Sequence, residues 1–312
     1  MTTPISRRDF LAVSAATAAI AVLASKSGAQ PTDFGPATKP RCTLRKAVMY
    51  GMVGGGSTIE DKFRILKDTG FQGVEMDSPT SLKMDDIAAA MEKTGIVVHG
   101  LVDSEHWKTP LNVPDEAAQD HAVAALETCL RDAGRLRCTS ILLVPGIVRD
   151  NLPYDECWRL TQKNIRRVLP LAKELNVRIA IENVWNNFIM SPMEAARFVD
   201  EFNSPSVAWH FDIGNVINYG WPSQWVDILG KRIAKLHIKD FSRQKRDKQG
   251  LWEGFKVELG EGDAGWPAVM KALDAVGYST AADGNWATAE VGGGDEKRMR
   301  TISDQMDKLF AL

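Results

Sequence analysis

From residue 46 onward the chain repeats one unit. A short run of aliphatic and β-branched residues is followed by a longer stretch with apolar side chains at helical spacing. The short runs are 46–53, 73–77, 96–101, 140–144, 177–183, 207–215, 233–240 and 286–291. They are continuously apolar rather than alternating, as strands are when both faces are covered. The stretches between them read as helices at 58–69, 84–93, 115–135, 153–175, 192–202, 223–229, 266–276 and 296–309. Phe63, Ile65 and Leu66 supply the apolar stripe of the first. Eight strand–helix alternations over about 265 residues predict an α/β fold, a (β/α)8 barrel. The rival arrangement, an open doubly wound sheet, would put a GxGxxG turn after its first strand. Gly51, Gly54, Gly55 and Gly56 stand near that place but do not form the motif.

The barrel reading gives the polar ends of the strands a meaning, because active sites of this fold sit at the carboxyl ends. Four runs end on metal-type ligands: Glu182, Asp212, His237 and Glu290. A charged side chain at the end of a buried strand is costly unless something satisfies it. One shared cation would satisfy all four. Three carboxylates and an imidazole admit Mn²⁺, Mg²⁺, Co²⁺ or Zn²⁺, with the oxygen-rich set favouring Mn²⁺ first, then Mg²⁺.

The chain has 312 residues, 44% hydrophobic and 25% charged, with net charge −2 and four cysteines. That balance does not point to nucleic acid. The cysteines (Cys42, Cys129, Cys138, Cys157) form no CxxC, so no zinc ribbon is indicated, and they read as buried free thiols. Residues 1–29 read as an export signal outside the fold. Ser6-Arg7-Arg8-Asp9-Phe10-Leu11 is a twin-arginine pattern, followed by an apolar run from 11 to 24 and a cleavage-like Ser27-Gly28-Ala29. The run is too short, and too rich in Ala and Ser, for a comfortable membrane span. Residues 30–44, with Pro31, Pro36 and Pro40, read as a linker or N-terminal arm, and 45–312 as the catalytic barrel. The expected location is periplasmic. The expected partners are the Tat machinery and a small sugar, with a homo-oligomer left open.

Glu182-Asn183-Val184-Trp185-Asn186, Asp212-Ile213-Gly214-Asn215, His237-Ile238-Lys239-Asp240 and Gly260-Glu261-Gly262-Asp263 resemble the sugar phosphate isomerase/epimerase superfamily, the xylose isomerase-like TIM barrels. Within it the motifs are most similar to L-ribulose/L-xylulose-5-phosphate 3-epimerases and hexulose-phosphate isomerase-like proteins. The resemblance implies that Glu182, Asp212, His237 and Glu290 bind the metal and that Glu182 and Glu290 are the acid/base pair. The implied reaction moves a proton through a metal-bound enediolate, one carboxylate on each face of the carbon. Asn215 stands where ketohexose 3-epimerases carry a substrate-contacting histidine, and Phe188 roughly where they carry another polar contact. Both favour the phosphopentose-like branch, whereas export favours an unphosphorylated sugar. Keto-sugars and keto-glycosides carry the same acidic C–H and satisfy both.

Further substrate contacts are expected at His99, His106 and Trp107, at Asn183 and Asn215 beside two ligands, and at Lys239, which faces the same way as His237. His210 reads as structural. The basic run 242–248 reads as a solvated loop, its alternative being a lid for an anionic substrate. Three other functions are open to this residue set. The same base could drive β-elimination in a lyase or dehydratase. Apurinic endonuclease chemistry would need more histidines and a basic face. A non-catalytic periplasmic sugar-binding protein would not need both glutamates.

Overall fold

The computed structural model describes residues 44–280 and 285–312. The twin-arginine segment, nearly all of the 30–44 arm, and Cys42 lie outside the described residues. Eight parallel strands close into a barrel in sequence order, each paired with its neighbours and β8 with β1.

The elements in chain order are β1 Arg45–Met49, α1 Ile59–Asp68, β2 Gly73–Ser78, α2 Met84–Thr94, β3 Val97–Asp103 and α3 Glu116–Arg135. Then come β4 Ser140–Leu143, α4 Tyr154–Glu174, β5 Arg178–Glu182, α5 Pro192–Asp200, β6 Val207–Asp212, α6 Ile213–Val216 and α7 Pro222–Leu229. The last are β7 Ile233–Ile238, α8 Arg243–Gln249, α9 Trp266–Ala275, β8 Trp286–Ala289 and α10 Glu296–Phe310.

Local chemistry starts the helices where polar caps precede apolar stripes. Thr58 and Ser191 form capping boxes with Asp61 and Glu194, and Asp115 and Asp295 cap α3 and α10. The main core lies between strands and helices. Phe63 and Leu66 of α1, Val123 and Leu126 of α3, and Trp209 and Phe211 of β6 are buried there. Side chains of 150–250 Å² such as Trp and Phe dominate such a layer.

Three expectations shift. β1 ends at Met49 and a 3-10 turn, Tyr50–Met52, replaces its second half. β3 runs two residues past the expected end, to Asp103. The 242–248 run is not a loop but α8, capped by the Ser242 hydroxyl, which accepts from Lys245 N. It lacks buried residues, so apolar periodicity could not reveal it. Cys129, Cys138 and Cys157 are buried free thiols, as expected.

The barrel's interior is unusually polar. Lys235, near the amino-terminal end, donates to Thr139 Oγ1 at 2.7 Å and to the His99 carbonyl at 3.3 Å. Its burial pushes the amine down to about 7. Glu75, His210 and His237 form the next group, and the four strand-end ligands lie with His237 at the mouth. Such a column costs stability unless its members pair, so its presence points to function rather than packing.

Candidate metal and active site

Strand register assembles the mouth. Asp212 of β6 sits directly opposite His237 of β7, and Glu182 of β5 opposite His210. Glu290 follows β8, its N–H donating to the Ile238 carbonyl at 3.1 Å. One donor atom from each of Glu182, Asp212, His237 and Glu290 lies within 4.8 Å of the others. His237 Nδ1 is 3.0 Å from Glu182 Oε1 and 3.2 Å from Glu290 Oε2. Lys239 Nζ reaches 3.1 Å from Asp212 Oδ2 and 2.7 Å from Glu290 Oε2.

These four residues fit a divalent cation. Asp212 Oδ2 and Glu290 Oε2 are buried against one ammonium, Lys239 Nζ, with His237 Nδ1 also beside Glu290. Three carboxylates thus converge on one ammonium and one imidazole, an excess of negative charge that a cation would balance. On the far edge of the imidazole, His237 Nε2 lies 3.2 Å from Glu75 Oε2. A carboxylate behind a ligating histidine fixes its tautomer and frees the other nitrogen for the ion. Glu75 carried no sequence assignment. Its signal was an acidic residue inside an otherwise apolar run, and it is fully buried on β2.

The charges polarise one another. Burial raises the Glu182 carboxyl to about 7 against the pull of His237. Burial acts the same way on Glu290, but Lys239 and His237 outweigh it and hold that group below the usual range. Burial also raises Asp212, with Lys239 opposing. His237 is lifted well above its ordinary value, because Glu290, Glu182 and Glu75 together outweigh its burial. The two carboxyls are thus pushed in opposite directions within one pocket.

The loops behind the ligands hold them still. Asn183 accepts from Trp209 Nε1 at 3.0 Å and from Asp212 N at 3.1 Å, and its amide donates to the Asp212 carbonyl at 2.7 Å. The Asp212 carboxylate accepts Asn215 N at 2.8 Å. Asp240 accepts from the backbone of Phe241, Gly260, Gly262 and Ala264 and from Trp266 Nε1 at 2.9–3.3 Å. The His-Ile-Lys-Asp and Gly-Glu-Gly-Asp motifs thus form one unit.

Above the ligands opens a cavity of about 410 Å³. Trp107, Asn215 and Lys239 line it, together with Glu182 and Glu290. Three expected substrate residues do not. His99 is fully buried below the mouth, stacked on Trp286 at 4.7 Å with Nε2 3.0 Å from Thr288 Oγ1. The two extra residues of β3 place it mid-strand, not at the end. His106 is buried behind Trp107 and accepts Val144 N at 3.3 Å. Asn183 faces β6, where it positions Asp212, because successive strand residues point to opposite sides. His210 is fully buried within the barrel, its ring 4.2 Å from that of His237 between centroids. The cavity's remaining aromatic wall, Trp185, Trp252 and Phe255, had no sequence assignment.

Residues 63–309 match the model of the xylose isomerase-like TIM barrel family, and the chain belongs to it. No curated protein matches it in sequence. Among solved structures it resembles a xylose isomerase domain protein from Planctomyces limnophilus, at 21% identity and TM-score 0.63 over 87% of this chain and 97% of that one. It also resembles an L-ribulose 3-epimerase, at 15% identity and TM-score 0.69 over 86% of this chain and 94% of that one. A 3-keto-D-glucoside 4-epimerase from E. coli aligns at 17% identity and TM-score 0.69, over 85% of this chain and 98% of that one. The fold is therefore that of the sugar isomerases and epimerases.

Proposed function

We propose that this protein is a divalent-metal-dependent sugar isomerase or epimerase acting on a ketose or keto-sugar. One observation carries the reading: Glu182 at the end of β5 and Glu290 just after β8 come together with Asp212 and His237 at the barrel mouth, one donor atom of each within 4.8 Å of the others. These four residues would hold the ion, Mn²⁺ being the best match to the donor set. A bound divalent ion supplies Lewis-acid stabilisation of an oxyanion beside the carbon that loses its proton. The chain's own residues do the rest. One glutamate takes the α-proton on its face, and the other delivers a proton on the opposite face. Lys239 keeps an ammonium on the charged floor of the cavity, where a substrate hydroxyl would meet it.

The test is hydrogen exchange in D2O with Glu182→Gln and Glu290→Gln, each matched to wild type in metal content. Each variant should still exchange the α-hydrogen of one epimer without interconverting the pair, and turnover should fall by ~10²–10⁴-fold. Near wild-type epimerisation by either variant would show that its glutamate is a ligand only. Release of water or a leaving group in place of exchange would assign the residues to a lyase.

Place belongs to the same proposal. The Arg7-Arg8 pair and the small residues 27–29 mark a folded, metal-loaded protein for twin-arginine export to the periplasm. Folding before export would let Mn²⁺ bind before the chain meets Zn²⁺ or Cu²⁺, which win on raw affinity. Lysine at both positions should leave precursor in the cytoplasm, and unchanged export would overturn the assignment.

A further inference from the structure

The cavity over the candidate ligands has two unlike halves. Its floor is charged, and Lys239 is the only cation among its lining residues. That ammonium is already engaged by two carboxylates, Asp212 and Glu290. Among the described residues no arginine lines the cavity. The arginines of the neighbouring α8 are committed elsewhere. Arg243 donates to the carbonyls of Ile217 and Gly220 at 2.9 and 2.7 Å, and Arg246 to Asn218 O at 2.8 Å. The basic run therefore ties α8 to the α6–α7 connection and does not face a substrate anion. A phosphate is held best by free guanidinium or ammonium groups, and the side chains lining this cavity offer no free one.

The walls are aromatic. Trp185 is fixed by its indole N–H, which donates to the Asn215 carbonyl at 2.8 Å. Against it lie Trp252 at 4.9 Å and Phe255 at 5.1 Å between ring centroids. Trp252, on the 3-10 turn that follows α8, is 66% exposed, and Trp107, backed by buried His106, is 48% exposed. A large aromatic left in water at the rim of a charged pocket is a recognition surface rather than packing. The cavity volume of about 410 Å³ lies within the range of sites that enclose a drug-sized ligand.

On the isomerase reading above, we propose that the substrate is an unphosphorylated glycoside of a keto-sugar. Its reacting ring sits at Glu182 and Glu290, and its second ring, a sugar or an aromatic aglycone, lies on Trp252 and Trp107. These two tryptophans would then set specificity without touching the reacting atoms.

Binding is measured by calorimetry on the Mn²⁺-loaded full chain, so the result does not depend on turnover. The probes are methyl β-glucoside, phenyl β-glucoside, cellobiose, glucose 6-phosphate and xylulose 5-phosphate. Phenyl glucoside and cellobiose should bind about 10-fold more tightly than methyl glucoside, the scale of one favourable ring contact. Trp252→Ala and Trp107→Ala should each erase much of that gain. Both should leave metal affinity unchanged, since neither belongs to the group of residues that gathers the ion's ligands. A phosphate that binds better than its glycoside rivals would overturn the proposal, as would alanine variants that keep the full gain. The two readings separate cleanly. The second-ring gain without any solvent exchange of a keto-glycoside's α-hydrogen keeps the glycoside site and removes the isomerase. Exchange confined to sugar phosphates keeps the isomerase and removes the glycoside.

Discussion

Glu75 Oε2 lies 3.2 Å from His237 Nε2, while the other nitrogen of that ring faces the mouth carboxylates. Glu75 is fully buried and held below the usual carboxylate range, where the histidine charges and the His237 hydrogen bond outweigh its burial. It is thus a positioning residue for His237. Replacing a carboxylate behind a ligating histidine typically costs 10–100-fold in metal affinity. Glu75→Leu should fall in that range by chelator competition, and Glu75→Gln, which keeps an acceptor, should lose less. Unchanged affinity in a folded Glu75→Leu would show that the contact does not orient the ring.

Lys239 places a positive charge among the atoms that would hold the ion, 2.7 Å from Glu290 and 3.1 Å from Asp212. Like charges in a buried site compete. Lys239→Met should therefore tighten Mn²⁺ binding by roughly an order of magnitude and lower the stability of the metal-free protein, whose carboxylates lose their counter-charge. Weaker Mn²⁺ binding in this variant would mean that Lys239 supports the ion through its neighbours and does not compete with it. His237→Ala should weaken binding more than any change behind the ligands, with the wild type binding one ion per chain by elemental analysis.

Much of this was legible because the barrel is regular. Eight apolar runs fixed the topology, and the fold's rule about strand ends picked Glu182, Asp212, His237 and Glu290. The strands' period of two also separated His210 from Phe211. What escaped followed from irregularity or from distance in sequence. The register shift between Val74 and Glu75, opposite His99, breaks the simple count of which residue faces where. Glu75 and His237 lie 162 residues apart, so no spacing connects them. Trp252 arrives on a 3-10 turn beside a helix with no apolar face, a segment that periodicity reads as loop.

Gly262 shows how tightly the loop after β7 is drawn in. A Cβ there would stand 2.1 Å from Asp240 Oδ1. The Asp240 carboxylate also collects four backbone N–H groups and the Trp266 indole. Asp240→Ala leaves the buried donors Phe241 N, Ala264 N and Trp266 Nε1 unsatisfied, at about 1–3 kcal/mol apiece before relaxation. We expect the variant to lose at least about 3 kcal/mol of stability in urea unfolding. Gly262→Ala should fall in the same direction by displacing that carboxylate. Because the loop follows directly from β7, which carries His237, and from Lys239 just after it, metal affinity should drop with it. A stable Asp240→Ala with unaltered metal affinity would show that the two motifs fold independently.

His106 gives the sharpest pH test away from the ligands. Burial pushes its imidazole down to about 4 from an ordinary 6.5. The folded protein therefore keeps it neutral, with Nδ1 accepting Val144 N. The unfolded chain takes up a proton below about pH 6.5, whereas the folded chain does not until about pH 4. The sign follows: the contribution is fully present above pH 6.5 and is lost as pH falls towards 4. At about 1.4 kcal/mol per unit of separation, the loss approaches about 3 kcal/mol at the acid end. His106→Asn removes the titration and much of the backbone contact, so it should be the less stable protein at pH 7. The gap between the two proteins in urea unfolding should shrink from about pH 6.5 to 4, because only the wild type loses this contribution. A constant gap across that window would mean that His106 is protonated in the folded state or reached by water. Trp107 packs edge-on to this ring at 5.7 Å, so its fluorescence in the folded wild type should change near pH 4, where the ring takes up its proton, and not in the variant.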